Sequence, residues 1–183
     1  LRALGDPAVV VSSPFPAVPV RGIDRAASSA PLGRRLARAL QDRPRRVVLD
    51  LVDLVTHDGG AGLLGPLGAT SDAPLDQGVG GLESLTRLDL SAARALLGDT
   101  ELVGVVPGAQ LGDLLLGLRG VTARRAHLAG VADPATMLAT DAALGRLASL
   151  LGVPDAPGLG LEQRFDGQAD AVGSGTPGCC GSG

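Results

Sequence analysis

The chain has 183 residues, of which 45% are hydrophobic and 19% charged, and its formal net charge is -3. That length favours one well-buried domain, the composition is that of a globular protein, and the weak negative charge excludes a general attraction to nucleic acid or to anionic membranes. Aromatic content is only 1%, so the core must be built from Leu, Val and Ala, whose small side chains predict modest stability.

In chain order, Ala8-Val9-Val10-Val11 reads as a short strand, followed by an extended stretch broken by Pro14, Pro16 and Pro19. Leu32, Leu36, Ala39 and Leu40 then recur at helical spacing, with Arg34, Arg35 and Arg38 on the other side. Ser28 or Ser29 is placed to cap that helix, and Pro44 to end it. With Arg43, Arg45 and Arg46 these arginines make a basic stretch. No aromatics interleave with it, so it reads as a solvated face and not as a base-stacking platform.

The apolar run Arg46–Val55 predicts a buried strand, and helix followed by strand makes an α/β unit. Thr70–Gly81 is rich in Gly, Asp and Pro and predicts a surface loop. Ser91–Leu97 predicts a brief helix capped by Asp89 or Ser91, and Glu101–Val106 a strand stopped by Pro107-Gly108. The clearest helix has Asp133 as N-cap and Pro134 at its first position. Met137, Leu138, Leu144, Leu147, Ala148 and Leu151 form its apolar stripe, and Gly152 with Pro154 terminates it.

The expected fold is therefore α/β, with a mixed or parallel sheet covered by helices. Residues 1–151 are expected to form a single domain, and 152–183 a Gly/Pro-rich loop or disordered tail. No apolar stretch approaches the ~18–20 residues of a membrane span, and no signal peptide is evident, so the expected location is the cytoplasm. A start without Met and a Gly-Ser-Gly ending are expected of a fragment or of a gene model with uncertain ends. Cys179 and Cys180 are adjacent and lack a nearby His, so they read as inert thiols and not as a structural metal site.

The strand at 46–55 runs into Thr56-His57-Asp58-Gly59-Gly60-Ala61-Gly62. A glycine-dense, acid-bearing turn at a strand's carboxyl end is how α/β proteins place a polar site. Successive N–H groups there can nest an anion. Two readings of Asp58 stand: a site carboxylate, or an Asx-turn residue capping the helix after Gly60. His57 reads as a donor or base, or as a satisfied residue beside a turn. Arg119, between Gly117 and Gly120, is placed to present its guanidinium fork to a carboxylate or phosphate, or to pair with Asp113. His127 completes no metal-ligand spacing, and no metal ligands are assigned.

These stretches resemble the type I glycerate kinases. Thr56–Gly62 is similar to that family's G-G-S-A-T-N-D-G-G-A-G, and Asp113–Thr122 to its N-P-L-L-G-P-R-G-A-S. The helix at Asp133-Pro134 follows in the same order, and the resemblance spans about Ala30 to Leu151. It implies part of a two-domain kinase fold and ATP-dependent phosphorylation of D-glycerate with Mg²⁺. Asp58 would be the catalytic residue, with Thr56, Gly59, Gly60, Gly62 and Arg119 holding the substrate, a small glycerate-like organic acid. No nucleic acid or membrane partner is implied, and a homo-oligomer is left open.

The departures are as informative. Val52-Asp53-Leu54 stands for the family's G-G-S, and Ala109-Gln110-Leu111-Gly112 for its acidic C-D-V-D. Leu128-Ala129-Gly130-Val131 stands for Q-K-G-A, without the Lys. A truncated or degenerate enzyme is expected, with a non-catalytic anion-binding or protein-interaction relic as the alternative, in which case ATP and Mg²⁺ are not required.

Overall fold

In chain order the elements are β1 (Val9–Ser12), α1 (Ala30–Leu40), β2 (Arg46–Asp50), α2 (Ala61–Leu64), β3 (Thr70–Ser71), α3 (Gly78–Gly81), β4 (Leu88–Asp89), α4 (Ser91–Leu97), β5 (Glu101–Val105), α5 (Val121–Ala129) and α6 (Pro134–Leu150). They come from a computed structural model that describes residues 8–14, 23–52, 54–130 and 133–152. Asp53, Val131 and the segment 153–183 with both cysteines lie outside the described residues.

β1, β2 and β5 form a parallel sheet with β2 central, Val11 opposite Leu49 and Leu49 opposite Gly104. Alternation along β2 sends Val47 and Leu49 to one face, where Val47 is fully buried. The helix over that face is α1. Leu32, Leu36 and Leu40 sit four residues apart, on one stripe, and none is more than 1% exposed. Val11, Leu102 and Ala93 of α4 complete this core. Pro31 begins α1, where its missing N–H costs nothing. Among the described residues the opposite sheet face is thinly covered, with Val10 63% exposed.

A second core lies beyond α2. Thr140, Ala143, Leu144, Leu147 and Ala148 of α6 turn inward, and Ala143, Leu144 and Leu147 pack with Ala61, Leu64, Leu75, Val79, Leu82 and Leu85. Asp133 caps α6 as expected, accepting from the N–H groups of Ala135 and Thr136. Leu138 is not on the buried stripe. It is 72% exposed, because it lies two residues before Thr140 and so on the far side of the helix.

Five other expectations need correction. β2 stops at Asp50 and not at Val55, because Asp50 Oδ1 accepts from the Val52 N–H at 3.2 Å and turns the chain. Residues 70–81 are no surface loop. β3 pairs antiparallel with β4, and Ala73, Leu75 and Val79 are buried in the second core. Of the two serines expected to cap α1, Ser28 accepts from the Ala30 N–H at 3.2 Å, while Ser29 holds the N-cap position without a side-chain cap and its hydroxyl is used elsewhere, as described below. A whole helix, α5, stands where no element was expected. At α4 the N-cap position falls on Leu90, without a side-chain cap, and not on Asp89 or Ser91; Asp89, one residue earlier, accepts from the Ser91 N–H at 2.8 Å.

Candidate functional site

The glycine turn lies between β2 and α2, and Asp58 is its hub. The carboxylate is 1% exposed. Oδ2 accepts from the Ser29 N–H at 2.7 Å, the Ser29 hydroxyl at 2.8 Å and the Gly62 N–H at 3.2 Å, while Oδ1 accepts from the Gly60 N–H at 3.1 Å. The Ser29 hydroxyl also accepts from the Leu63 N–H at 3.1 Å. One buried anion thus ties the start of α1 to the start of α2, compensated by four donors. Gly59 and Gly60 both have positive φ, 60° and 78°, which lets the chain reverse tightly enough to aim those N–H groups inward. A side chain at Gly59 would also press on Leu144 and Leu147 of α6.

This arrangement sets what the turn can do. The N–H groups of Gly60 and Gly62 are spent on Asp58, so they shape the turn and are not open to an anion. Asp58 itself has the Asx-turn geometry.

The second segment is the arm Leu114–Gly120, closed by the Leu114–Gly120 bridge and by the Val121 N–H on the Leu114 carbonyl at 2.8 Å. Asp141 of α6 anchors its middle by accepting from the Gly117 N–H at 2.8 Å. Arg119 projects from this arm, exposed. It is not Asp113's partner, because Arg124 takes that carboxylate at 2.7 Å. The arm leads into α5, which faces the glycine turn and is pinned to it twice. His57 Nε2 is 3.0 Å from Thr122 Oγ1, and Arg125 Nη1 donates to the carbonyls of Val55 and Thr56 at 3.1 and 3.0 Å.

His57 is 6% exposed. Burial, aided by the positive charge of Arg125, pulls its pKa from 6.5 down to about 4. At neutral pH the ring is uncharged. Because the folded-state pKa lies below the unfolded one, the unfolded chain takes up this proton first as pH falls. His57's contribution is therefore complete above about pH 6.5, is lost as pH drops from there towards about 4, and levels off below. The loss is on the order of 3 kcal/mol. Urea midpoints across that window should fall for the native chain and fall less for His57→Asn. Parallel slopes would refute it.

The structure brings together Thr56, Asp58, Gly59, Gly60 and Gly62, and joins Arg119 to them through α5. Three participants were not assigned to the site from the sequence: Ser29, read only as a candidate cap of α1, Thr122, seen only as the end of the family-like stretch, and Arg125. Gly120 and Gly130 bracket α5 and offered a signal for it, but nothing in the sequence singled out Arg125. Among the described residues, no group of three His, Cys, Asp or Glu side chains is placed to share a metal ion.

The fold and the site define an α/β protein with a carboxylate-pinned glycine turn beyond a central parallel strand. A search of curated proteins found no match. Among solved structures, a Salmonella typhimurium LT2 protein assigned as glycerate kinase 2 matches with a TM-score of 0.67 and 25% identity, over 84% of this chain and 44% of that one. The chain thus spans less than half the length of that relative. Residues 15–183 match the glycerate kinase family, and the chain belongs to it.

Both Asp58 oxygens are engaged by protein donors, and the turn's N–H groups at Gly60 and Gly62 are taken. The described residues do not fit Mg²⁺ or a nucleotide phosphate at this turn. No helix among them is long and apolar enough to cross a membrane.

Proposed function

We propose that this chain forms the acid-binding side of a cytoplasmic, ATP-dependent D-glycerate phosphotransferase. The observation that carries this reading is the double pin between the glycine turn and α5. It holds Thr56 and the Asp58 turn in fixed relation to the Arg119 arm. Arg119 is exposed and free of carboxylate partners among the described residues, so its fork is available to a carboxylate or phosphate. Gly59, Gly60 and Gly62 shape the turn, and Asp58 acts on the reaction by holding it.

A second reading is favoured by the engaged state of Asp58: a non-catalytic member of the family that binds small organic acids without turnover. Calorimetry with D-glycerate, alongside ADP release in the presence of ATP and Mg²⁺, separates the two. The first reading expects saturable binding and glycerate-dependent ADP formation. Binding without turnover selects the second, and no binding at millimolar acid sinks both.

A further inference from the structure

Three features meet at Thr56. Arg125 reaches the turn from α5, half-buried, and hydrogen-bonds to the carbonyls of Val55 and Thr56. Among the described residues it pairs with no carboxylate. Asp58 is near enough for its charge to be felt, but spends its oxygens on other donors. The Arg125 guanidinium is thus a half-buried cation held by two carbonyls and, among the described residues, by no carboxylate. Burial and the charge of neighbouring Arg124 lower its pKa, with Asp58 acting in the opposite direction.

Thr56 is itself 6% exposed, and its hydroxyl is buried with no hydrogen-bond partner among the described residues. Its carbonyl is one of the two that Arg125 holds, so the orphan hydroxyl belongs to the same residue that the Arg125 guanidinium contacts. The adjacent His57 stays neutral. An unpaired buried donor and an unpaired cation are each costly. An incoming oxyanion satisfies both at once.

We propose that Arg125 and the Thr56 hydroxyl together bind one oxyanion, the carboxylate or phosphate of a small acid, beside the glycine turn. This rests on the acid-binding reading above and names the groups that grip the acid. Arg119 then serves as the outer cation, and Arg125 as the inner one.

Calorimetric titrations with D-glycerate and with inorganic phosphate, each alone, test it and distinguish the two anion sources. Arg125→Gln should weaken whichever anion binds by about tenfold or more, with Arg125→Lys intermediate and Thr56→Val also weaker. A second readout needs no variant. NMR titration of His57 in the native chain should show its pKa rising when the anion is bound, because the anion offsets the Arg125 charge. Unchanged affinity in Arg125→Gln and Thr56→Val overturns the proposal. So does a His57 titration unmoved at saturation, which decides the matter if Arg125→Gln fails to fold, and so does an absence of binding by either anion. Arg125-dependent binding without ADP formation supports this inference while removing the kinase reading. Glycerate turnover indifferent to Arg125 does the reverse.

Discussion

Asp58→Ala destabilises the fold by about 3–5 kcal/mol, a large share of the ~5–15 kcal/mol that holds a typical domain together. The loss arises because three main-chain N–H groups and the Ser29 hydroxyl are left in a buried site without their acceptor. Asp58→Asn keeps one acceptor oxygen and no charge, so it falls between the two. Urea denaturation monitored by circular dichroism measures both. A midpoint for Asp58→Ala within experimental error of the native chain would mean that the carboxylate does not hold the turn. Ser29→Ala, which removes one of the four donors and the acceptor for Leu63, costs less, about 1–2 kcal/mol.

Gly62→Ala is the second large effect, and its cause is steric. A Cβ at Gly62 would lie 2.3 Å from Ser28 Oγ, 2.5 Å from the Ala30 nitrogen and 2.9 Å from Asp58 Oδ2. The start of α1 must move away, and the Ser29–Asp58 contacts move with it. The expected cost is about 2–4 kcal/mol. Gly65→Ala is the matched control, because a Cβ there meets nothing within 4 Å and Gly65 already has a helical φ of -57°. That variant stays within about 0.5 kcal/mol of the native chain, or gains slightly. Equal losses at the two positions would show that glycine content, and not the close approach of α1 to α2, governs this region.

The parts legible in the sequence are those whose signals are local. α1 announces itself by leucines four apart behind a proline, and α6 by Asp133-Pro134 and a sustained apolar stripe. Valine runs give β1 and β2, although Asp50 cuts β2 short through a side-chain hydrogen bond that apolar patterning does not register. α5 was hidden because its buried residues are Thr122 and Ala126, while its most conspicuous apolar residue, Leu128, is 75% exposed. The segment 70–81 has a loop-like composition, yet Leu75 and Val79 find a core under α6 supplied from far along the chain.

The candidate site divides in the same way. Thr56–Gly62 was legible as a polar turn, and the Asx geometry of Asp58 was one of two open readings. The identity of its partners was not legible. Ser29 lies 29 residues before Asp58, and Arg125 lies 69 residues after Thr56. Such pairings depend on which helices pack together, and no local pattern encodes them. Arg119 could be seen as an available cation, but its expected partner Asp113 went to Arg124, one helical turn into α5, because the closed arm turns Arg119 outward.

If the glycine turn and the α5 arm form one acid-binding unit, as proposed, amide NMR of the native chain titrated with D-glycerate shows saturable shifts concentrated in two segments, Thr56–Gly62 and Arg119–Arg125, moving with a single dissociation constant. Shifts confined to other surfaces, such as the groove lined by Leu85, Leu116 and Arg146, with both segments unmoved, would contradict it.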